Sequence, residues 1–245
     1  RVNGKRITHL HGNPDEPHVK DALVSALSGT MPSVGQPDLV TGELADAEKV
    51  KSALAKIQGH TIGAIGDAPA GFTPCTYDAD TLKRLFGLNV INKTIPEIFA
   101  DIASVPLDEE SAEYKAACEA QPSLKSVPEK EARINASTRV ALQKWIESNN
   151  LSAIAMRCWP DFAVDLGACP CGAMGRTATS GTPAACERDV YGAVTMLLLE
   201  ALGSGTNYLV DTVDLEEDKN IIRIWHCGSA STTLAVDPNN ATQFI

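Results

Sequence analysis

Short runs of β-branched and apolar residues alternate along this chain with stretches of helical period, the pattern of a parallel sheet covered by helices. The clearest instance is HTIGAIG (60–66), an apolar run that opens into the turn-rich DAPAGFTPCTYDAD and then the helical TLKRLFG, which stops at Gly87. LNVIN (88–92) predicts the next strand and IPEIFADIA the next helix. Two βα units with such short joints predict right-handed parallel crossovers.

On either side the pattern is looser. RITHLHG (6–12) is strand-like, and a helix is expected near 17–28 with Asp15 and Glu16 in its first turn. The interval SGTMPSVGQPDLVTGE predicts a linker, followed by a helix at about 45–58. Residues 108–150 are polar and helical, with Pro128 near a helix start and Asn149–Asn150 as an end signal. LSAIAMRCW (151–159) returns to strand character. PDFAVDLGACPCGAMGRTATSGTPAA then predicts a long loop without structure of its own, and such loops inside a domain are usually functional. A helix over 188–202 ends at Gly203, TNYLVD (206–211) predicts a strand ending in an acid, and NIIRIWHCG (220–228) a strand ending in a histidine.

Composition narrows the class. The chain has 245 residues, 44% of them hydrophobic and 21% charged, which is ordinary for a globular protein. A net charge of −10 argues against a nucleic-acid or anionic-membrane partner but favours an incoming cation. No stretch has the roughly 18 consecutive apolar residues of a membrane helix, and the first residues lack the apolar core of a signal peptide, so a cytoplasmic location is expected. The count of 7 Cys is odd, which favours thiols over a disulfide framework.

Three charges in GTPAACERDVYG (181–192) stand at the mouth of an apolar helix, either as caps and ion pairs or as part of a site. Glu187, Asp211 and His226 each follow an apolar run and together make the ligand set of Mn²⁺ or a similar divalent ion. Their ordinary roles would be a helix-dipole partner, a cap and a core hydrogen bond, with Asp189 as a competing carboxylate. Cys169 and Cys171 lack the four-ligand pattern of a structural zinc site, and Cys186 as a nucleophile has no histidine base beside it in sequence.

The segments CERDVYGAVTMLLLEALG, NYLVDTVDLEEDKNIIRIWHCG and AIAMRCWPDF, with IGDAPAGF and LKRLFGLNV, resemble the L-fucose isomerase and L-arabinose isomerase superfamily over roughly residues 55–230. The resemblance implies a Mn²⁺-dependent aldose–ketose isomerase. It places Glu187 of ACERD and Asp211 of YLVD as metal ligands and as the acid and base that move protons between C1 and C2. It makes His226 the third ligand, although fucose isomerases take their histidine from further along. Arg157, Trp159 and Phe72 would line the sugar site. The implied architecture is a Rossmann-like α/β domain with helices on both faces over 46–203, preceded by the end of an N-terminal region and linker (1–45). The start of a mostly β C-terminal domain follows (204–245). The chain is accordingly expected to be a fragment, and the active protein a homo-oligomer. A non-catalytic sugar-binding module of the same fold is the alternative.

Overall fold

The computed structural model describes residues 13, 15–30, 46–216, 219–226 and 228–237. β1 (Thr61–Ile65), β2 (Asn89–Lys93), β3 (Leu151–Met156) and β4 (Ala184–Ala185) form a sheet in the order β2-β1-β3-β4, every neighbouring pair parallel. The central strands are those with little to hydrate. Ile62, Ala64 and Ile65 of β1 and Ala153, Ile154, Ala155 and Met156 of β3 are wholly buried, as strands covered on both faces must be.

Alternation along these strands divides the core in two. On one face α4 (Ile95–Ala103), α6 (Glu129–Asn149) and α7 (Cys171–Thr179) bury Ile98, Leu142, Trp145 and Met174 against Ile65, Ile154 and Met156. On the other α2 (Ala47–Ile57), α3 (Ala79–Phe86) and α8 (Val190–Leu202) bury Ile57, Leu82, Val190 and Val194 against Ile62, Ala64, Ala153 and Ala155. The molecule is therefore α/β with helices on both faces. α5 (Leu107–Ala120) packs on α6 through a small cluster that includes Ala117, Cys118 and Ala132. The helix ends follow local chemistry. Thr94 and Glu97 form a capping box at the start of α4, and Gly87 and Asn150 end α3 and α6 in the left-handed conformation.

Three expectations are corrected. The stretch 160–185 is not a structureless loop: it carries a turn of π-helix at Phe162–Leu166 and then α7. α7 escapes a search for helical period because Cys171, Gly172, Ala173, Met174, Gly175, Thr177 and Ala178 are all buried, leaving no polar face to mark it. Residues 206–210 are not a strand, because the Asn207 amide donates to the carbonyls of Gly205 (2.9 Å) and Met196 (3.4 Å) and holds the chain in a turn. Asp211 instead opens β5 (Asp211–Glu216), which pairs with β6 (Ile221–Trp225) in a separate two-stranded sheet. Finally, Asp15 and Glu16 precede α1 (Pro17–Leu27), Glu16 as its N-cap and Pro17 at its first position.

The chain forms two compact units, 46–211 with 224–245 and 1–45 with 212–223. The parallel sheet and helices α2–α8 belong to the first, and α1 with most of the hairpin to the second. The strand expected at 6–12, most of the linker at 28–43 and Cys227 lie outside the described residues.

Candidate active site

With this strand order the chain leaves β1 for β2 on one side and β3 for β4 on the other. The carboxyl ends of β1 and β3 therefore flank a switch point, where open α/β sheets bind ligands. A cavity of about 680 Å³ lies there. All four strands deliver residues to its wall: Gly66 and Asp67 after β1, Asn92 to Pro96 at the end of β2, Arg157 and Asp161 after β3, and Arg188 after β4. Gly66 makes the convergence possible. Its φ is +77°, and a Cβ there would lie 3.0 Å from both Arg157 Cβ and Ile95 Cδ1. Its N–H donates to the Lys93 carbonyl (2.8 Å), while Arg157 N–H donates to that of Ile65 (3.0 Å), tying three strand ends together.

The turn after β4 is the most unusual backbone in the site. Glu187 (φ 58°) and Arg188 (φ 60°) are consecutive non-glycine residues in the left-handed region. Each costs roughly 1–2 kcal/mol there, and such conformations persist only where the surroundings enforce them. The enforcement is visible on both sides. Cys186 is fully buried with its Sγ 2.9 Å from that of Cys158, and Asp189 caps α8 by accepting the Gly192 N–H at 2.8 Å. Glu187 is half-buried between these two anchors.

Charges crowd this turn. Cys75, in the loop after β1, is pushed up to about 11 first by burial and then by the negative charges of Asp189 and Glu187, with Arg188 opposing them. Its thiol is thus neutral at physiological pH and no nucleophile. The Arg188 guanidinium lies 5.0 Å from the centre of the Tyr77 ring and donates to Asn92 Oδ1 (3.3 Å), which also accepts from the Tyr77 hydroxyl (2.9 Å). Its Nε–H is shielded from solvent and has no acceptor among the described residues. The neighbouring cations are committed: Arg157 Nε lies 2.7 Å from Asp161 Oδ2, and Lys93 Nζ is held by Asp101 with the Trp145 ring centre 5.3 Å away.

Of the residues proposed from sequence, Arg157 lies on the cavity wall; Glu187 is not among the lining residues, although Arg188, next to it in the chain, is. Trp159 and Phe72 come together edge to face, with centroids 5.4 Å apart, but neither lines the wall. Asp211 is exposed at the start of β5. His226 is buried just after β6, where its carbonyl accepts the Tyr208 hydroxyl at 3.2 Å and the two rings meet edge to face. Neither stands at the carboxyl end of a strand of the parallel sheet. Among the described residues no three His, Cys, Asp or Glu side chains group as a metal site. Cys186 is too deeply buried to attack a substrate. The Cys169 carbonyl accepts from the Asn135 amide at 2.9 Å, a packing role. Gly66, Asp67, Asn92, Thr94 and Asp161 were not singled out from sequence; their one signal is that each follows or ends a parallel strand.

No known protein-family profile matches the chain. Similarity to curated proteins nevertheless runs along nearly all of it. A protein of Priestia aryabhattai is 31% identical over 234 residues, covering 95% of this chain and 48% of the relative. One of Alkalicoccus urumqiensis is 30% identical over 244 residues, 98% of this chain and 50% of the relative. A third, of Clostridium sp. (strain MSTE9), is 29% identical over 180 residues, 74% of this chain and 40% of the relative. All three are sulfoquinovose isomerases. The chain is thus similar to sugar isomerases and spans about half the length of the relatives it matches. Among the described residues no helix is long and apolar enough to cross a membrane.

Proposed function

We propose that this protein is an aldose–ketose isomerase whose substrate is a sulfonated sugar, sulfoquinovose or a close analogue. The observation that carries the reading is the similarity to sulfoquinovose isomerases across 95% of the chain. The cavity at the switch point supports it, since about 680 Å³ accommodates a monosaccharide. We place the protein with the fucose and arabinose isomerases, on the motifs around Glu187 and Asp211, and expect a cytoplasmic homo-oligomer.

The reaction moves one proton from C2 of the open-chain aldose to C1 and one from the C2 hydroxyl to O1, through an enediol. It needs a base within hydrogen-bond reach of C2–H and an acid for the carbonyl oxygen. Glu187 and Asp211 fill those roles in this proposal. Glu187 immediately precedes Arg188 of the cavity wall in the left-handed turn, and its constrained backbone would reduce the freedom that a loop glutamate otherwise loses on reaction. Both carboxylates are hard donors of the kind Mn²⁺ takes, and the ion would polarise the sugar oxygens. The proton transfers are assigned to the two carboxylates, which can take up and release a proton.

The test is to incubate the full-length protein with sulfoquinovose and Mn²⁺ in D₂O and follow the sugar by NMR. Ketose formed with deuterium at C1, and lost in Glu187→Gln, is the expected result. Ketose without solvent deuterium would replace the enediol by a hydride shift. Binding without any ketose would leave a sugar-binding module and overturn the isomerase reading.

A further inference from the structure

We infer that Arg188 is the residue that recognises the acidic substituent of the substrate, an inference that rests on the isomerase reading above. The chain carries a net charge of −10, so an anionic sugar needs a local positive group to enter this cavity at all. Three cationic residues contribute to the wall, and two are already neutralised: Arg157 by Asp161 at 2.7 Å, Lys93 by Asp101. Arg188 pairs with no carboxylate among the described residues. Among the described residues its side chain makes one hydrogen bond, a long one of 3.3 Å, to the neutral amide oxygen of Asn92.

Its Nε–H has no acceptor among the described residues, so the guanidinium is not saturated by protein groups. An arginine fork offers parallel N–H donors whose spacing matches two oxygens of a sulfonate or phosphate. Tyr77 and Asn92 hold the guanidinium in place before any ligand arrives, so little side-chain entropy remains to be lost on binding. On the same wall Asp67 carries a carboxylate that no cation among the described residues engages, suited to accepting hydrogen bonds from sugar hydroxyls. One uncommitted cation in a cavity that also presents a carboxylate suits a singly charged sulfonate better than a doubly charged phosphate.

The backbone adds a second consequence. Glu187 and Arg188 are adjacent members of one left-handed turn, so the group that does chemistry and the group that reads charge are positioned by the same two dihedral pairs. Anchoring the acidic end at Arg188 therefore orients the sugar relative to Glu187.

The experiment compares full-length wild type with Arg188→Gln and Arg188→Lys, neither of which asks more of the left-handed backbone than arginine does. Binding of sulfoquinovose, glucose 6-phosphate and glucose is measured by calorimetry, and kcat/KM for each sugar that turns over. Arg188→Gln is expected to lower sulfoquinovose affinity about 10–100-fold, with the sulfoquinovose-to-glucose ratio falling alike and Arg188→Lys recovering part of it. Wild type should prefer sulfoquinovose to glucose 6-phosphate; the reverse order would assign the site to phosphate and overturn the sulfonate reading. A ratio unchanged in Arg188→Gln, with ketose still formed, would overturn the role of Arg188 and leave the isomerase standing. Binding that depends on Arg188 without any ketose would do the opposite. No binding of sulfoquinovose by wild type would overturn both.

Discussion

Replacing Glu187 by Gly and by Ala separates backbone strain from chemistry. Both variants delete the same carboxylate, so their difference in stability reports on the backbone alone. At φ 58° a residue with a Cβ bears roughly 1–2 kcal/mol that glycine does not. Glycine gives back about 0.5–1 kcal/mol through its more flexible unfolded chain. The Gly variant should therefore be more stable than the Ala variant by about 0.5–1 kcal/mol, a difference of roughly 1–4 °C in melting temperature for a unit of this size. The same pair at Lys115, exposed within α5, is the control: there Ala should win by about 1 kcal/mol. Urea unfolding followed by circular dichroism resolves both differences. Turnover of sulfoquinovose should be lost in both Glu187 variants, so that one of them loses function while relieving strain. If Ala proves more stable than Gly at position 187, the left-handed turn and the positioning argument built on it fail together.

Two further outcomes test the fold and its electrostatics. A Cβ added at Gly63 in β1 would meet Trp145 Cη2 and Leu151 Cδ1 at 2.6 Å, so Gly63→Ala should cost about 1–3 kcal/mol in urea unfolding monitored by tryptophan fluorescence. Unchanged stability would mean that Trp145 does not rest on β1. Burial raises the Glu200 carboxyl above its ordinary value of 4.5, so the folded state holds its proton while the unfolded chain releases it, and stability falls as pH rises through that interval. Glu200→Gln should thus melt higher than wild type at pH 7, the gap closing by pH 3; an equal gap at both would remove charge burial as the cause.

Elements with a regular period were legible. β1, β2, α3, α4 and α6 stand within two residues of where apolar spacing, Gly87 and Asn150 put them. α7 was not, since a helix of small buried residues shows no amphipathic stripe, and neither was the turn at 206–210, where the Asn207 amide replaces a strand ladder. The site shows the same division. The charges at 187–189 stood out because polar groups against an apolar run demand a reason, and Arg157 through the resemblance. Asp67 and Asn92 did not, because a lone polar residue after a strand is an ordinary loop residue until the order β2-β1-β3-β4 turns four strand ends toward one cavity. Asp211, the partner that the resemblance gives Glu187, opens β5 and does not end a strand as the apolar run before it predicts.

The conformation of Arg188 also bears on how this site can diversify. Left-handed backbone admits glycine freely and asparagine, aspartate or histidine more readily than other side chains, while β-branched residues are genuine outliers there. A descendant that abandons acidic sugars can therefore exchange Arg188 most cheaply for Gly or Asn, and a Val or Ile at this place would dislodge the neighbouring Glu187 as well. The vocabulary of specificity at position 188 is set by a dihedral angle before any ligand selects from it.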